Sequence, residues 1–238
     1  MKTDTLEMNA EVIGSSTKVA VDALNMMDLA NVEAARETKA YDLAKRAIDL
    51  MGSIIAVIVL SPLFILVALL IKALSTGPVF FRQTRVGLYG KTFEIYKFRT
   101  MKVDAEKYSG PVWATKNDNR LIPGGDFLRK SKIDEIPQFF NVLKGEMSII
   151  GPRPERPFFV ERLKNQIPDY EKRLKIKPGI TGLAQVLHRA DETIKDVKLK
   201  IKYDLLYIRK MCLLTDIQIL IQTVSVVLLG VRSRATRA

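Results

Sequence analysis

Between Leu50 and Ile71 run 22 consecutive residues without a charge, LMGSIIAVIVLSPLFILVALLI. At ~1.5 Å per helical residue the run is about 33 Å long, enough to cross the apolar core of a bilayer. Two features argue against a simple crossing. Ser61-Pro62 stands at its middle, where proline removes a helix hydrogen bond and clashes with the preceding turn, and where the serine hydroxyl can bond a freed carbonyl. Lys39, Lys45 and Arg46 precede the run, and Lys72, Arg82, Arg85 and Lys91 follow it. Both flanks therefore carry the cationic signature of a cytoplasmic segment. A helix that enters, breaks at Ser61-Pro62 and leaves on the same side satisfies both features. A kinked single span and a buried core helix are the alternatives.

After this run, VFFRQTRV and KTFEIYKFRTM flank the tetrapeptide Gly87 to Gly90. Alternating apolar positions around a glycine-containing turn predict a β-hairpin. Residues 101–128 read as loop, with Gly110-Pro111 and Pro123-Gly124-Gly125 as turn signals. Helical spacing returns over 131–144, over 157–172 and again after 194. The stretch from Leu213 to Leu229 is apolar but interrupted by Asp216, Gln218, Gln222 and Ser225, which suits an interfacial or packed helix. The expected fold is α+β and helix-rich. Residues 1–40 are expected to form an accessory or partly disordered arm, 41–74 a re-entrant helix-break-helix hairpin, and 75–238 a catalytic domain with an interfacial last helix.

Charge narrows the partners. The 238 residues hold 38 Lys and Arg against 26 Asp and Glu, and residues 50–238 alone carry a net +15. Such a body attracts polyanions. Aromatics are 8% of the chain, too thin for nucleic-acid stacking, and a nucleic-acid binder has no use for the uncharged run. One Cys (Cys212) and one His (His188) exclude a disulfide framework, a zinc cluster and a Cys-His pair. The remaining chemistry belongs to carboxylates, Lys, Arg and a hard cation such as Mg²⁺. The Arg-containing tail RSRATRA either sits on headgroup phosphates or is simply solvated.

Asp134 and Glu135 are adjacent carboxylates in RKSKIDEIPQFFNVLKGEM. At a first helical turn such a pair can share one Mg²⁺, or one can attack while the other supports it. The bland alternative is a capping box, Ser131-x-x-Asp134, in which Asp134 only satisfies a backbone N–H. Arg129, Lys130 and Lys132 around the pair favour a bound phosphate. Arg153, between two prolines in GPRPER, has little freedom to lose, which suits bidentate phosphate recognition; a rigid surface turn is the alternative. In KPGITGLAQ, Gly179 and Gly182 could expose consecutive N–H groups to an anion. Lys97 and Arg99 alternate on the second hairpin strand. Asp204, among apolar positions, is either a paired surface residue or turned toward a site.

These blocks, in this order, resemble the bacterial sugar transferases, the monotopic phosphoglycosyl transferases that start glycan assembly on polyprenyl phosphate. The resemblance runs from about Tyr41 to Gly230 through KRAIDL and the Ser61-Pro62 run, FRQTRVGLYGKTFEIYKFRTM, LRKSKIDEIPQFFNVLKGEMSIIGPRPE, KPGITGLAQV and YDLLYI with LTDIQILIQTV. It implies a membrane enzyme on the cytoplasmic face of the bacterial inner membrane. A UDP-sugar would give its sugar-1-phosphate to Asp134, releasing UMP, and polyprenyl phosphate would then take the group. Glu135 would partner Asp134, and Mg²⁺ would neutralise the diphosphate at the dyad. Lys97, Arg129, Arg153, Gly179, Gly182, Arg189 and Asp204 would bind substrate, with Ser61 and Pro62 breaking the membrane helix. The chain reads Leu187-His188-Arg189 where many relatives have Asn-Gly-Arg. Whether the chain forms a homodimer is left open. The competing classes are a catalytically silent, basic membrane-surface protein and a glycosyltransferase that releases UDP.

Overall fold

The computed structural model describes residues 39–105, 107, 118–188 and 194–229. The arm up to residue 38, the Gly110-Pro111 turn, Arg189 and the RSRATRA tail lie outside the described residues.

The uncharged run folds as two helices, α1 (Lys39–Val59) and α2 (Ser61–Leu74), bent by 59° at Leu60. Pro62 has no N–H for the carbonyl of Ile58 one turn back, and the Ser61 hydroxyl donates to that carbonyl at 2.7 Å. Among the described residues no single helix is long and apolar enough to cross a membrane, although the bent pair passes that test together. Ile55, Ile58, Val59, Ile65 and Leu69 are exposed along the pair.

A polar stripe at Tyr41, Lys45, Arg46 and Asp49 fixes α1 to the rest of the chain. Arg46 donates to the carbonyls of Val142 and Leu143 at 2.7 and 3.1 Å. Asp49 accepts from the Ser148 hydroxyl and the Ile149 N–H at 3.0 and 2.9 Å. Lys45 and Tyr207 bind the carboxylate of Asp216 at 2.6 and 2.7 Å, and the Tyr41 hydroxyl donates to it as well. Positions four and eight apart on a helix share a face, so one side of α1 is polar and docked while much of the rest is apolar.

The predicted hairpin is present, with β1 (Phe80–Val86) antiparallel to β2 (Thr92–Phe98). Its connection places Tyr89 and Gly90 at φ 54° and 78°, the left-handed region that glycine enters without strain. Helix α3 (Gly125–Lys130) begins inside the stretch expected to be loop, a correction to that reading, and the helical pattern over 131–144 divides into a 3-10 turn (Ile133–Glu135) and α4 (Gln138–Lys144). Lys132 takes φ 62°, and Pro137 cannot donate to a continuing helix. The pattern over 157–172 likewise becomes α5 (Pro157–Lys164) and a 3-10 segment (Tyr170–Lys175), interrupted at Pro168.

A second sheet pairs β3 (Ser148–Ile150) in parallel with β4 (Gly179–Thr181). Three-residue strands carry too little alternation to be read from sequence. The close approach of Gly179 and Gly182 to Gly151 holds this region together. A Cβ on Gly179 would lie 2.1 Å from the Gly151 nitrogen, and one on Gly182 2.2 Å from the Gly151 carbonyl oxygen. Helices α6 (Leu183–Leu187), α7 (Ile194–Lys210) and α8 (Leu213–Leu229) follow. Tyr41, Ile150, Leu183, Tyr207 and Ile219 form one apolar cluster joining α1, β3, α6, α7 and α8. Val67 and Ile71 of α2 pack with Phe98 and Ile122, and Ile133 and Ile136 cover that cluster. The turn carrying Asp134 and Glu135 thus rests on the second helix of the bent pair.

Candidate active site

The Asp134-Glu135 turn begins where Lys132 reverses the chain after α3. The capping-box alternative is not what forms. The Ser131 hydroxyl donates backwards to the carbonyls of Phe127 and Leu128 at 2.8 and 3.2 Å, closing α3. Both carboxylates are buried, Asp134 at 6% and Glu135 at 8% exposure.

Glu135 is held by two cations. Lys97 donates to its Oε1 at 2.8 Å. The Arg153 guanidinium spans the carboxylate, with Nη1 on Oε2 at 3.1 Å and Nη2 on Oε1, the fork geometry that gives arginine its strongest pairings. Burial by itself would raise the Glu135 pKa, but Arg153 and Lys97 outweigh it and hold the carboxyl well below its ordinary range. Asp134 moves the opposite way. Burial raises its pKa, aided by the neighbouring Glu135 charge and opposed by Lys97. Among the described residues its Oδ1 is buried without a hydrogen-bond partner. The two carboxylates therefore differ in kind: one is saturated by cations, the other keeps a bare oxygen.

The loop that presents Arg153 is tied down at four successive carbonyls. Pro152 accepts from the Gly179 N–H at 2.9 Å, Arg153 from Arg173 Nη2 at 2.7 Å, Pro154 from Arg85 Nη1 at 3.0 Å, and Glu155 from the Val86 N–H at 2.8 Å. Arg173 is anchored in turn by Asp204, its Nε donating to Oδ2 at 2.9 Å. Both residues are buried. Burial pushes the Asp204 pKa up although Arg173 opposes it. The Glu155 carboxylate binds Lys200 at 2.6 Å and lies 3.8 Å from Arg85. A loop fixed this firmly, with its arginine fork already held by Glu135, has little entropy left to lose when it meets an anion.

A family model for bacterial sugar transferases matches residues 40–230. The chain belongs to that family. A protein of Aeromonas hydrophila named UDP-N-acetylgalactosamine-undecaprenyl-phosphate N-acetylgalactosaminephosphotransferase is 43% identical over 194 residues, 82% of this chain and 46% of that protein. A UDP-glucose:undecaprenyl-phosphate glucose-1-phosphate transferase of Klebsiella pneumoniae is 43% identical over 182 residues, 76% of this chain and 39% of that protein. The exopolysaccharide production protein PSS of Rhizobium leguminosarum bv. phaseoli is 40% identical over 188 residues, 76% of this chain and 92% of that protein. The chain spans less than half the length of the first two relatives and nearly all of the third.

The residues singled out from sequence do not all come together. Lys97, Asp134, Glu135 and Arg153 come together. Arg129 stands on α3, one short turn before the dyad, and makes no ion pair among the described residues. Asp204 is neither an exposed paired residue nor itself bonded to the dyad: it is buried and reaches Arg153 through Arg173. Gly179 and Gly182 serve backbone packing, and the Gly179 N–H expected to face an anion is already donated to Pro152. Arg99 parts from Lys97 and closes the end of α2, donating to the carbonyls of Thr76 and Ser75 at 2.7 and 3.0 Å.

Sequence reading missed Arg173, Arg85 and Lys200. Only the need of Asp204 and Glu155 for buried partners would have pointed to them. This layer has a measurable pH signature. Burial would raise Glu155, but Lys200, Arg173 and Arg85 pull it down from 4.5 to about 2. A depressed carboxylate stabilises the fold above its unfolded pKa and loses that contribution as pH falls through the folded value. The stability difference between the wild type and Glu155→Gln is expected to be on the order of 2 kcal/mol near neutrality and to close between pH 4.5 and about 2. Denaturation midpoints of the two proteins across that range check it. A gap independent of pH would show that Glu155 is not the titrating group.

Proposed function

We propose that the chain transfers a sugar-1-phosphate from a UDP-sugar to polyprenyl phosphate, beginning a glycan on its lipid carrier. The observation that carries this reading is the split dyad: a cation-saturated Glu135 beside an Asp134 whose Oδ1 is unpartnered and whose basicity is raised by burial. The printed names of the Aeromonas and Klebsiella relatives support the substrate classes.

In the first step an Asp134 oxygen bonds to the β-phosphorus of the donor as the bond from that phosphorus to the bridging oxygen breaks. The electron pair leaves on UMP. In the second step an oxygen of polyprenyl phosphate bonds to the same phosphorus, the acyl-phosphate bond breaks, and the carboxylate is restored. Neither step needs a net proton. Lys97 and Arg153 hold positive charge where the diphosphate would otherwise be repelled by two carboxylates. Arg129 would meet a further phosphate oxygen.

Mg²⁺ fits this donor set. Among the described residues no three His, Cys, Asp or Glu side chains converge, but Mg²⁺ in phosphoryl-transfer sites is often held by one or two carboxylates together with substrate phosphates. Asp134 Oδ1 would be the available oxygen, with Glu135 next to it in the same turn. Bound there, Mg²⁺ would offset the negative charge of the diphosphate.

The bent pair α1–α2 would lie in the cytoplasmic leaflet of the bacterial inner membrane with its apolar face in lipid, both ends emerging toward the cytoplasm, and α8 would rest at the interface. A soluble donor and a lipid-borne acceptor then meet on one side of the membrane. The nucleotide released from a panel of UDP-sugars, with Mg²⁺ and undecaprenyl phosphate present, tests the reading. UMP from one donor is expected. UDP would mean that the glycosidic bond had broken instead.

A further inference from the structure

An aromatic surface lies between the bent helix pair and the dyad. Ring centroids of Phe64 on α2 and Phe80 on β1 are 5.7 Å apart, and Phe64 is also 5.7 Å from Phe140 on α4. Phe98 is buried beneath them, 4.7 Å from Phe64 and stacked at 5.6 Å on Phe80. Phe80, Phe81 and Phe140 keep 40%, 43% and 38% of their surface exposed. In the hairpin register Phe80 faces Phe98, and Phe81 faces Lys97. Directly opposed residues share a face of a sheet and successive residues alternate. Phe80 therefore turns toward α2, while Phe81 turns to the side of Lys97, which binds Glu135. At the start of β1 one ring thus faces the apolar helix pair and the next, on the other face of the strand, stands on the side of the cations.

A nucleotide diphosphate has no use for an apolar edge that runs into the outward Ile65, Leu66 and Leu69 of α2. The acceptor does. Its phosphate must reach Asp134 while most of its chain stays in hydrocarbon, so the isoprene units next to the phosphate have to cross from one to the other. We infer that Phe80, Phe81 and Phe140 seat these first isoprene units, with Lys97 and Arg153 facing the phosphate at the end of the edge. The inference rests on the phosphoglycosyl transfer proposed above and adds the site of the acceptor chain to it.

The two half-reactions separate the tests. Exchange of labelled UMP into the UDP-sugar requires no acceptor, whereas transfer to farnesyl phosphate or undecaprenyl phosphate does. In Phe81→Ser, kcat/KM for either prenyl phosphate is expected to fall about tenfold, the worth of roughly 50 Å² of lost apolar contact. UMP exchange per folded enzyme is expected to change less than about twofold. Phe81→Leu, which keeps an apolar side chain, should recover most of the loss. Unchanged acceptor kinetics in Phe81→Ser would overturn the inference. So would an equal fall in UMP exchange, which would place Phe81 against the donor sugar or in support of the dyad. Absence of UMP exchange in the wild type would instead contradict the proposed function itself.

Discussion

Replacing Asp134 by asparagine is expected to lower turnover by about 10⁴-fold or more while leaving the fold intact or slightly more stable. An amide nitrogen and carbonyl of the same shape cannot accept the phosphosugar as a carboxylate does. The stability side follows from the site. Burial disfavours the Asp134 charge, and its Oδ1 has no partner among the described residues, so a neutral isostere relieves a cost. Glu135→Gln should behave differently, because it strips the charge that Lys97 and Arg153 both hold and leaves two half-buried cations poorly compensated. Turnover and thermal midpoints of the two variants, measured in the same detergent, check the contrast. A destabilised Asp134→Asn with residual activity near wild type would contradict the division of labour drawn here.

The second large effect lies away from the dyad. Arg173→Met is expected to cost about 3–5 kcal/mol in stability. It leaves Asp204 as an uncompensated charge at 2% exposure and removes the donor to the Arg153 carbonyl. The double variant Arg173→Met with Asp204→Leu should regain most of that stability, because removing both charges removes the burial cost. It should not regain full activity, since the carbonyl of Arg153 still lacks its donor. Denaturant titration of the single and double variants reads the first expectation and kcat/KM reads the second. If the double variant were no more stable than the single one, the ion pair would not be the source of the loss.

The parts legible from sequence were those encoded locally. The uncharged run with Ser61-Pro62 announced the bend, because a proline and a hydroxyl act on the turn that contains them. Alternation around Gly87 to Gly90 announced the hairpin. The dyad, Lys97 and Arg153 could be picked out as residues whose chemistry fits phosphate, and the resemblance gave their order meaning. What the sequence could not convey was pairing at a distance. Arg173 lies 31 positions from Asp204, and Lys200 lies 45 from Glu155, so neither partnership leaves a periodic trace. The glycines of KPGITGLAQ show the same limit. A flexible turn that could bind an anion and a backbone that must pass within contact distance of Gly151 ask for the same residue, and only the fold distinguishes them.

The central claim is that Asp134 carries the phosphosugar between the two substrates. The most direct measurement is the intact mass of the protein after mixing with its UDP-sugar and Mg²⁺ in the absence of polyprenyl phosphate, followed by peptide mapping. A fraction of the protein is expected to be heavier by one sugar-phosphate group, on the peptide containing Asp134, and to be discharged when undecaprenyl phosphate is added. An adduct on another residue, or UMP formed only with acceptor present and no adduct at any time, would contradict it.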